Sequence, residues 1–581
     1  MFTKYKNDFK RKVCENMIKN IRYKRSIRFI AIITAISSLF ACTPKQNANN
    51  DQNQGSSAVS CSNAASATAS NASASYSVSQ SCSSASACAS SASSSPVYYN
   101  QPSGPVYFLD EEDYNTEEYD AIRENVFKDV TTSPLSTFSA DVDTASYANI
   151  RRMLNNGFDP SFIPEGSIRV EEMINYFSYD YAGPTGKEPF GVNAEISTCP
   201  WNEENKLLRL GIQTEEISFK DSPDANIVLL IDVSGSMQNL DKLPLVKDSF
   251  KLMLDNLGSK DRVSIVTYAS GTDIVLEGEK GSNKEAIENA LDSLRAQGST
   301  NGEGGIEEAY KLAEENFIKG GNNRIIIASD GDFNIGKTSQ SELEELISKK
   351  KDKGIYLSVL GFGTGNYSDA RMEVLADKGN GNYAYIDSLT EAKKVLVEEF
   401  DENMITVAKD VKFQVEFNPA YVSEYRLIGY ENRALNNEDF EDDKKDAGEI
   451  GAGHNVTVLY EIVPAKDDSY SGDNLKYQSS SLTKEALESE EWLTLSVRYK
   501  DPNGIKSKLL NYNIGSNCYT DTPSTDFLFA ASVAEFAMVL RHSDYVGNGS
   551  LKHVSKTLSK LRLNDDYKKE FAEIVESAAN Y

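Results

Sequence analysis

Histidine is nearly missing from this chain, with three in 581 residues. They stand at positions 454, 542 and 553. None shares a motif with a serine or cysteine nucleophile, so a hydrolase, which needs a nucleophile with an orienting base, has no constellation to rest on. Cysteine is sparse as well. Cys61, Cys82 and Cys88 fit no tight metal spacing, and only Cys199 and Cys518 lie in sequence that reads as folded. An exported compartment permits a disulfide between those two, but spacing alone cannot pair them. No apolar run reaches the roughly 20 residues of a membrane-spanning helix. Positive charge is short: 60 Lys and Arg face 87 Asp and Glu, a net charge of -27. Such a surface repels phosphate backbones, which excludes nucleic acid as a partner.

The shortage of basic residues does not extend to the N-terminus. Residues 1–28 are rich in Lys and Arg, and Phe29 to Phe40 is a short apolar run. A basic stretch, an apolar core and a small residue before a cut read as a secretory signal. The run closes on Leu39-Phe40-Ala41-Cys42, which resembles the lipobox of bacterial lipoproteins. That resemblance implies cleavage after residue 41, lipid on Cys42, and a protein exported to face the periplasm or cell surface. Loss of residues 1–41 takes the mature chain to about -35. Residues 42–103 are mostly Ser, Ala, Asn and Gln and cannot bury enough surface to offset their ordering entropy. They read as a disordered tether whose Ser/Ala part, ~45 residues long, reaches roughly 35–40 Å.

From Ala225 onward the pattern changes. Ile227 to Ile231 is a continuous apolar run, as in a parallel strand buried on both faces. Further strands are expected at 263–268, 324–329, 355–360 and 383–386. They alternate with helices at 243–257, 302–317, 340–352, 369–377 and 389–403. The alternation predicts a doubly wound parallel sheet, whose ligands sit beyond the carboxyl ends of the strands. Oxygen-bearing residues stand at those ends: Asp232, Ser234 and Ser236, then Thr300, then Asp330. Together they resemble the metal-ion-dependent adhesion site of von Willebrand factor type A domains. The resemblance implies that Ser234, Ser236 and Thr300 ligate a divalent cation directly, with Asp232 and Asp330 acting directly or through water. Such hard oxygen donors suit Mg²⁺ first, with Mn²⁺ or Ca²⁺ as alternatives. Few ligands are charged, so the ion stays net positive, and one open position can take a carboxylate from a protein partner. Gly331 to Thr338 also matches the P-loop pattern letter for letter. Asp332 would sit inside its phosphate cradle, Asp330-Gly331 already belongs to the metal constellation, and the compartment lies outside the ATP pool; no nucleotide is expected.

The flanks narrow the family. Ser136 to Tyr147, Val170 to Phe177, Cys199 to Asn202, Tyr425 to Arg433 and Gly451 to His454 resemble the blocks of the YfbK-like family of bacterial von Willebrand A lipoproteins. The residues themselves predict helices at 143–155, 525–541 and 565–578. Val170, Met173, Ile174 and Phe177 form a helical apolar stripe with Glu171 and Glu172 outward. Strands are expected at 190–197, 206–213, 410–417, 421–430, 454–463, 493–500 and 507–514, alternating as half-buried antiparallel strands do. Asp141-Val142-Asp143-Thr144 reads as turns and caps before a helix, and Asp439 to Asp446 as a solvated loop. Asp141, Asp143, Glu171 and Glu172 are also candidates for an internal carboxylate capping the open metal position.

The resulting organisation has a signal at 1–41, a tether at 42–103 and a helical flank at 104–185. The first part of a β-sandwich follows at 186–218. A Rossmann-like von Willebrand A domain at 222–405 is inserted in that sandwich, whose second part is 407–515, with a helical region at 516–581. The functional expectation is a membrane-anchored lipoprotein, not an enzyme, that grips a protein partner through its metal ion. The alternatives are a structural cell-envelope protein in which the ion only ties loops together, or an exported hydrolase. The anchor has a direct check: Cys42→Ser should leave an uncleaved precursor or release the protein from membranes. A mutant that fractionates and migrates like wild type would refute lipidation.

Overall fold

A computed structural model describes residues 116–331, 340–466 and 482–581, all within a unit spanning Tyr107–Tyr581. The signal, the tether, Cys42 and the P-loop-like residues 332–339 lie outside the described residues. Before the α/β domain come β1 (Lys128–Asp129), β2 (Leu135–Ser139), α1 (Ala145–Asn155), α2 (Val170–Asn175), β3 (Phe190–Cys199) and β4 (Asn202–Thr214). The α/β domain contributes β5 (Ala225–Asp232), α3 (Leu243–Met253), β6 (Arg262–Tyr268), β7 (Thr272–Lys280), α4 (Lys284–Ser293), α5 (Gly302–Glu315) and β8 (Asn322–Ser329). It continues with α6 (Gln340–Lys351), β9 (Ile355–Phe362), α7 (Asp369–Lys378), β10 (Tyr383–Ile386), α8 (Leu389–Lys393) and α9 (Phe400–Met404).

The six strands lie in the order β10-β9-β8-β5-β6-β7. Each strand pair is parallel except β6 with β7, which is antiparallel. β5 is central and its residues alternate between two cores. Ile227, Leu229 and Ile231 pack with Val246, Phe250, Ile287 and Leu291 of α3 and α4. Val228 and Leu230 pack with Ile306, Tyr310, Leu343 and Met372 of α5, α6 and α7. Burial on both faces explains why the strand is apolar without interruption.

After the α/β domain the chain forms β11 (Thr406–Phe417), β12 (Val422–Ile428), β13 (Gly448–Gly451), β14 (Asn455–Pro464), α10 (Lys484–Glu488), β15 (Glu491–Lys500) and β16 (Lys508–Gly515). It closes with α11 (Thr525–Leu540), α12 (Leu551–Leu558) and α13 (Asp566–Ala578). One antiparallel sheet runs β1-β12-β14-β4-β3, and another runs β13-β11-β15-β16 with β2 also on β11. β4 precedes the α/β domain and pairs with β14 after it, Val456 facing Ile212 and Val458 facing Leu210. That pairing makes the α/β domain an insertion in a sandwich. Leu208, Leu210, Phe413, Val415, Val458 and Leu495 fill the space between the sheets. Helices α1, α2 and α11 to α13 form a separate layer around Trp201. α11 is apolar on nearly every side because it lies inside that layer.

Several expectations need correction. The sheet is not wholly parallel, since β7 turns back on β6 through a short connection. The stretch expected as one helix over 389–403 is α8, a π-helical turn at Lys394–Glu398, and α9. Cys199 is buried and Cys518 half-buried, and both are free thiols. Glu171 and Glu172 do not face water; they are 1% and 0% exposed. Nor do Asp141 and Asp143 simply cap a helix. Arg433 donates to Asp141 at 2.9 Å and to Asp143 at 3.0 Å. It also reaches Glu373 and Asp377 on α7. Arg169 pairs with Glu172 and with Asp369 on the same helix. Asp369, Glu373 and Asp377 recur every four residues and so share one face of α7.

Two stability measurements follow from these buried charges. Removing one member of a buried pair strands the others, so Arg433→Met should destabilise by about 3–5 kcal/mol in urea unfolding. A loss below about 1 kcal/mol would deny the network its structural weight. Burial, reinforced by the charges of Glu431 and Asp141, pushes the Glu171 carboxyl up to about 8. The folded state therefore holds this proton while the unfolded chain has lost it, and the group costs stability progressively as pH rises from about 4.5 toward 8. Glu171→Gln should flatten that decline and add at least about 2 kcal/mol at pH 8. Parallel pH profiles for wild type and variant would contradict this.

Candidate metal centre

Asp232 is the last residue of β5, and the chain turns sharply after it. Its Oδ1 accepts from the Ser234 amide at 2.8 Å, a short local ring that lets the backbone leave the sheet. Its Oδ2 accepts from the Ser329 hydroxyl at 3.3 Å. The turn brings the Ser234 and Ser236 hydroxyl oxygens to 3.0 Å from each other. A second loop docks on this one. Gly235 N–H donates to Gly298 O at 2.9 Å and Gln297 N–H to Val233 O at 2.7 Å. Gly298 adopts φ +84, where a side chain would be strained. Thr300 lies two residues on, half-buried on the docked loop.

Asp330 follows β8, the immediate neighbour of β5. The chain runs from β5 to β6 on one side and, after β7, crosses back to β8 on the other side of β5, so Asp232 and Asp330 flank the switch point of the sheet. Asp232, Ser234 and Asp330 are buried, whereas Ser236 is exposed. Burial pushes the Asp232 carboxyl up to about 6; the Ser234 amide opposes this and the charge of Asp330 adds to it. Two carboxylates in so dry a place call for a cation.

The donor set fits a hard divalent ion. All the donors are oxygens, and two neighbouring ligands on an octahedral ion with bonds of about 2.1 Å lie about 3.0 Å apart. The serine hydroxyls already stand at that separation. One participant had no signal in the sequence. The Lys242 ammonium donates to Asp330 Oδ2 at 3.0 Å and to Asn366 Oδ1 at 2.9 Å. Its partners lie 88 and 124 residues away along the chain. Ser329 was also missed, because a serine inside a buried strand carries no pattern of its own.

The flank carboxylates lie elsewhere. Asp143 Oδ1 accepts from the amide of Tyr383, the first residue of β10. β10 is separated from β5 by β9 and β8, which is about 14 Å across three strand spacings. Asp141, Asp143 and Glu172 bring carboxylate oxygens within 4.8 Å of one another. They already serve Arg433, Arg169 and the amides of Asp143, Tyr383 and Ser146. They do not cap the serine pair. Among the described residues neither the His454 nor the His553 imidazole meets a serine hydroxyl. His454 accepts from the Gly451 amide and His553 is held by Glu535. Burial, with the charge of Lys394 adding, lowers His454 to about 4.

Comparison with known proteins agrees with this geometry. Residues 226–399 match the von Willebrand factor type A domain family. Residues 113–209 match a family described as von Willebrand factor, and residues 402–581 the family described as YfbK, C-terminal. The chain is 43% identical over 472 residues to the Escherichia coli K12 protein YfbK, covering 80% of this chain and 81% of that one. It is 29% identical over 190 residues to the Synechocystis protein sll0103, covering 32% and 43% respectively. Among solved structures, a von Willebrand factor type A protein from Catenulispora acidiphila aligns over 68% of this chain and 92% of its own, at 13% identity and a TM-score of 0.37. The matched family descriptions name no catalytic activity. The chain belongs to the YfbK family of proteins built around a von Willebrand factor type A domain.

Proposed function

We propose that this protein is a lipid-anchored binding module, tethered through Cys42, that holds a protein partner through a divalent cation. Ser234, Ser236 and Thr300 ligate the ion directly, and Asp232 and Asp330 complete its shell directly or through water. The observation that carries the reading is the pair of serine hydroxyls 3.0 Å apart beside the buried Asp232. Ser236 is exposed and Thr300 half-buried, so an ion held there would face solvent, and an acidic side chain of the partner would fill its open position. Leu240, 86% exposed in the following loop, offers an apolar contact at the rim. Mg²⁺ fits the small oxygen set best, and Mn²⁺ can replace it.

The ion binds only the folded chain, so it stabilises by linkage, by about 2.7 kcal/mol at a hundredfold excess over Kd. The full chain should melt at higher temperature with Mg²⁺ or Mn²⁺ than with EDTA, and Asp232→Ala should abolish the difference. Equal melting temperatures for the wild type would remove the site. Thr300→Ala separates gripping from mere loop stabilisation: partner capture should fail while the fold survives. Metal-dependent capture unaffected by Thr300→Ala would favour a structural ion.

A further inference from the structure

The metal site holds a cation of the chain's own. Lys242 precedes α3, is 3% exposed, and its ammonium lies 3.0 Å from Asp330 and 2.9 Å from Asn366. Its stem is gripped by the loop after β9. At Gly363, with φ +77, an added Cβ would come within 2.4 Å of Lys242 Cε. A flexible lysine would ordinarily extend into water; here the backbone of a neighbouring loop packs it inward. An ammonium in so dry a place is costly unless a carboxylate balances it. The carboxylate that does so is one that the metal reading assigns to the ion.

Resting on that reading, we propose that Lys242 is a resident counter-ion of the metal site, which neutralises Asp330 when no ion is bound, weakens the hold on the ion, and leaves the loaded site positively charged toward the partner. Asp232 and Asp330 bring two negative charges and the hydroxyls none. A divalent ion alone would make the site neutral. Counted over the described residues, the ammonium beside it gives the loaded site a formal excess of one positive charge. A like charge this close opposes entry of the ion in a medium of low dielectric. The same excess favours an anionic group at the open position over a neutral one. Lys242 thus trades metal affinity for selectivity toward a carboxylate.

The test is titration of the full chain with Mn²⁺ alone, by calorimetry at fixed pH and ionic strength. Lys242→Gln and Lys242→Met should bind Mn²⁺ at least about tenfold more tightly than wild type, whereas Lys242→Arg should stay within about threefold. In EDTA the neutral variants should melt below wild type, since Asp330 has lost its counter-ion, and Mn²⁺ should close the gap. Wild-type or weaker Mn²⁺ affinity in a folded neutral variant overturns the proposal. If neither neutral variant folds without metal, refolding by Mn²⁺ but not by NaCl of equal ionic strength supports it, and failure of that rescue overturns it. Absence of Mn²⁺ binding by wild type and every variant would remove the metal site itself. Equal binding by all would remove only the role of Lys242.

Discussion

Three arginines, Arg151 and Arg169 buried and Arg433 nearly so, hold the inserted domain to its flanks, and the placement of everything else follows from them. Arg151 on α1 reaches Asp387 and Glu391 at the end of the α/β domain and Glu570 on α13. Arg169 and Arg433 come from opposite sides of the inserted domain in the chain and share the carboxylates of α7. A buried arginine without its carboxylates is several kcal/mol too costly, and the same holds for the carboxylates. Apolar packing tolerates small slides and rotations, but these pairs do not. The α/β domain can therefore dock on the sandwich in one orientation, with α7 and β10 turned toward the flanks.

That orientation decides what the metal centre can contain. The clasp consumes the acidic residues of the N-terminal flank at the β10 side of the sheet. The switch point between β5 and β8 lies three strands away and is furnished by the α/β domain alone. The positive charge beside it comes from Lys242 of the same domain, not from a flank. In both clusters Asp141, Asp143, Glu172, Asp232 and Asp330 each accept from a donor, but the two differ in supply. The clasp matches its acids with guanidinium groups in fixed forks. Among the described residues the centre sets the Lys242 ammonium beside Asp330, and on the proposed reading a divalent ion would balance the rest.

Much of this was legible in the sequence. The uninterrupted Ile227 to Ile231 run gave the central strand because two-sided burial forbids polar residues there. Alternation in Val411 to Phe417 marked a sandwich strand, because one face meets the core and the other does not. Asp232, Ser234 and Ser236 were readable because a single turn holds all three. What escaped notice depended on partners far along the chain. Glu171 and Glu172 looked solvent-facing because a carboxylate normally seeks water, and only Arg169 and the tight packing of Gly429 on Glu171 explain their burial. Lys242 looked like an ordinary lysine before a helix. β7 shows no clean alternation because it lies at the sheet edge with one neighbour and much of its surface exposed; α4, by contrast, carries a legible helical stripe in Ile287, Ala290 and Leu291.

Charge also bears on what the proposed partner must look like. The chain carries a net charge of -27, so at long range it repels any strongly acidic protein. At physiological salt that repulsion fades beyond about 8 Å, while a buried, dry centre is screened much less. On the proposed reading, a positively charged loaded centre would act on a carboxylate only once the surfaces are nearly in contact. Leu240 at the rim offers apolar area over the same short range. A uniformly acidic partner would be turned away before either contact could form. The combination suits a neutral or basic surface that presents one exposed carboxylate beside an apolar patch, so the far field selects the surface and the ion selects the residue.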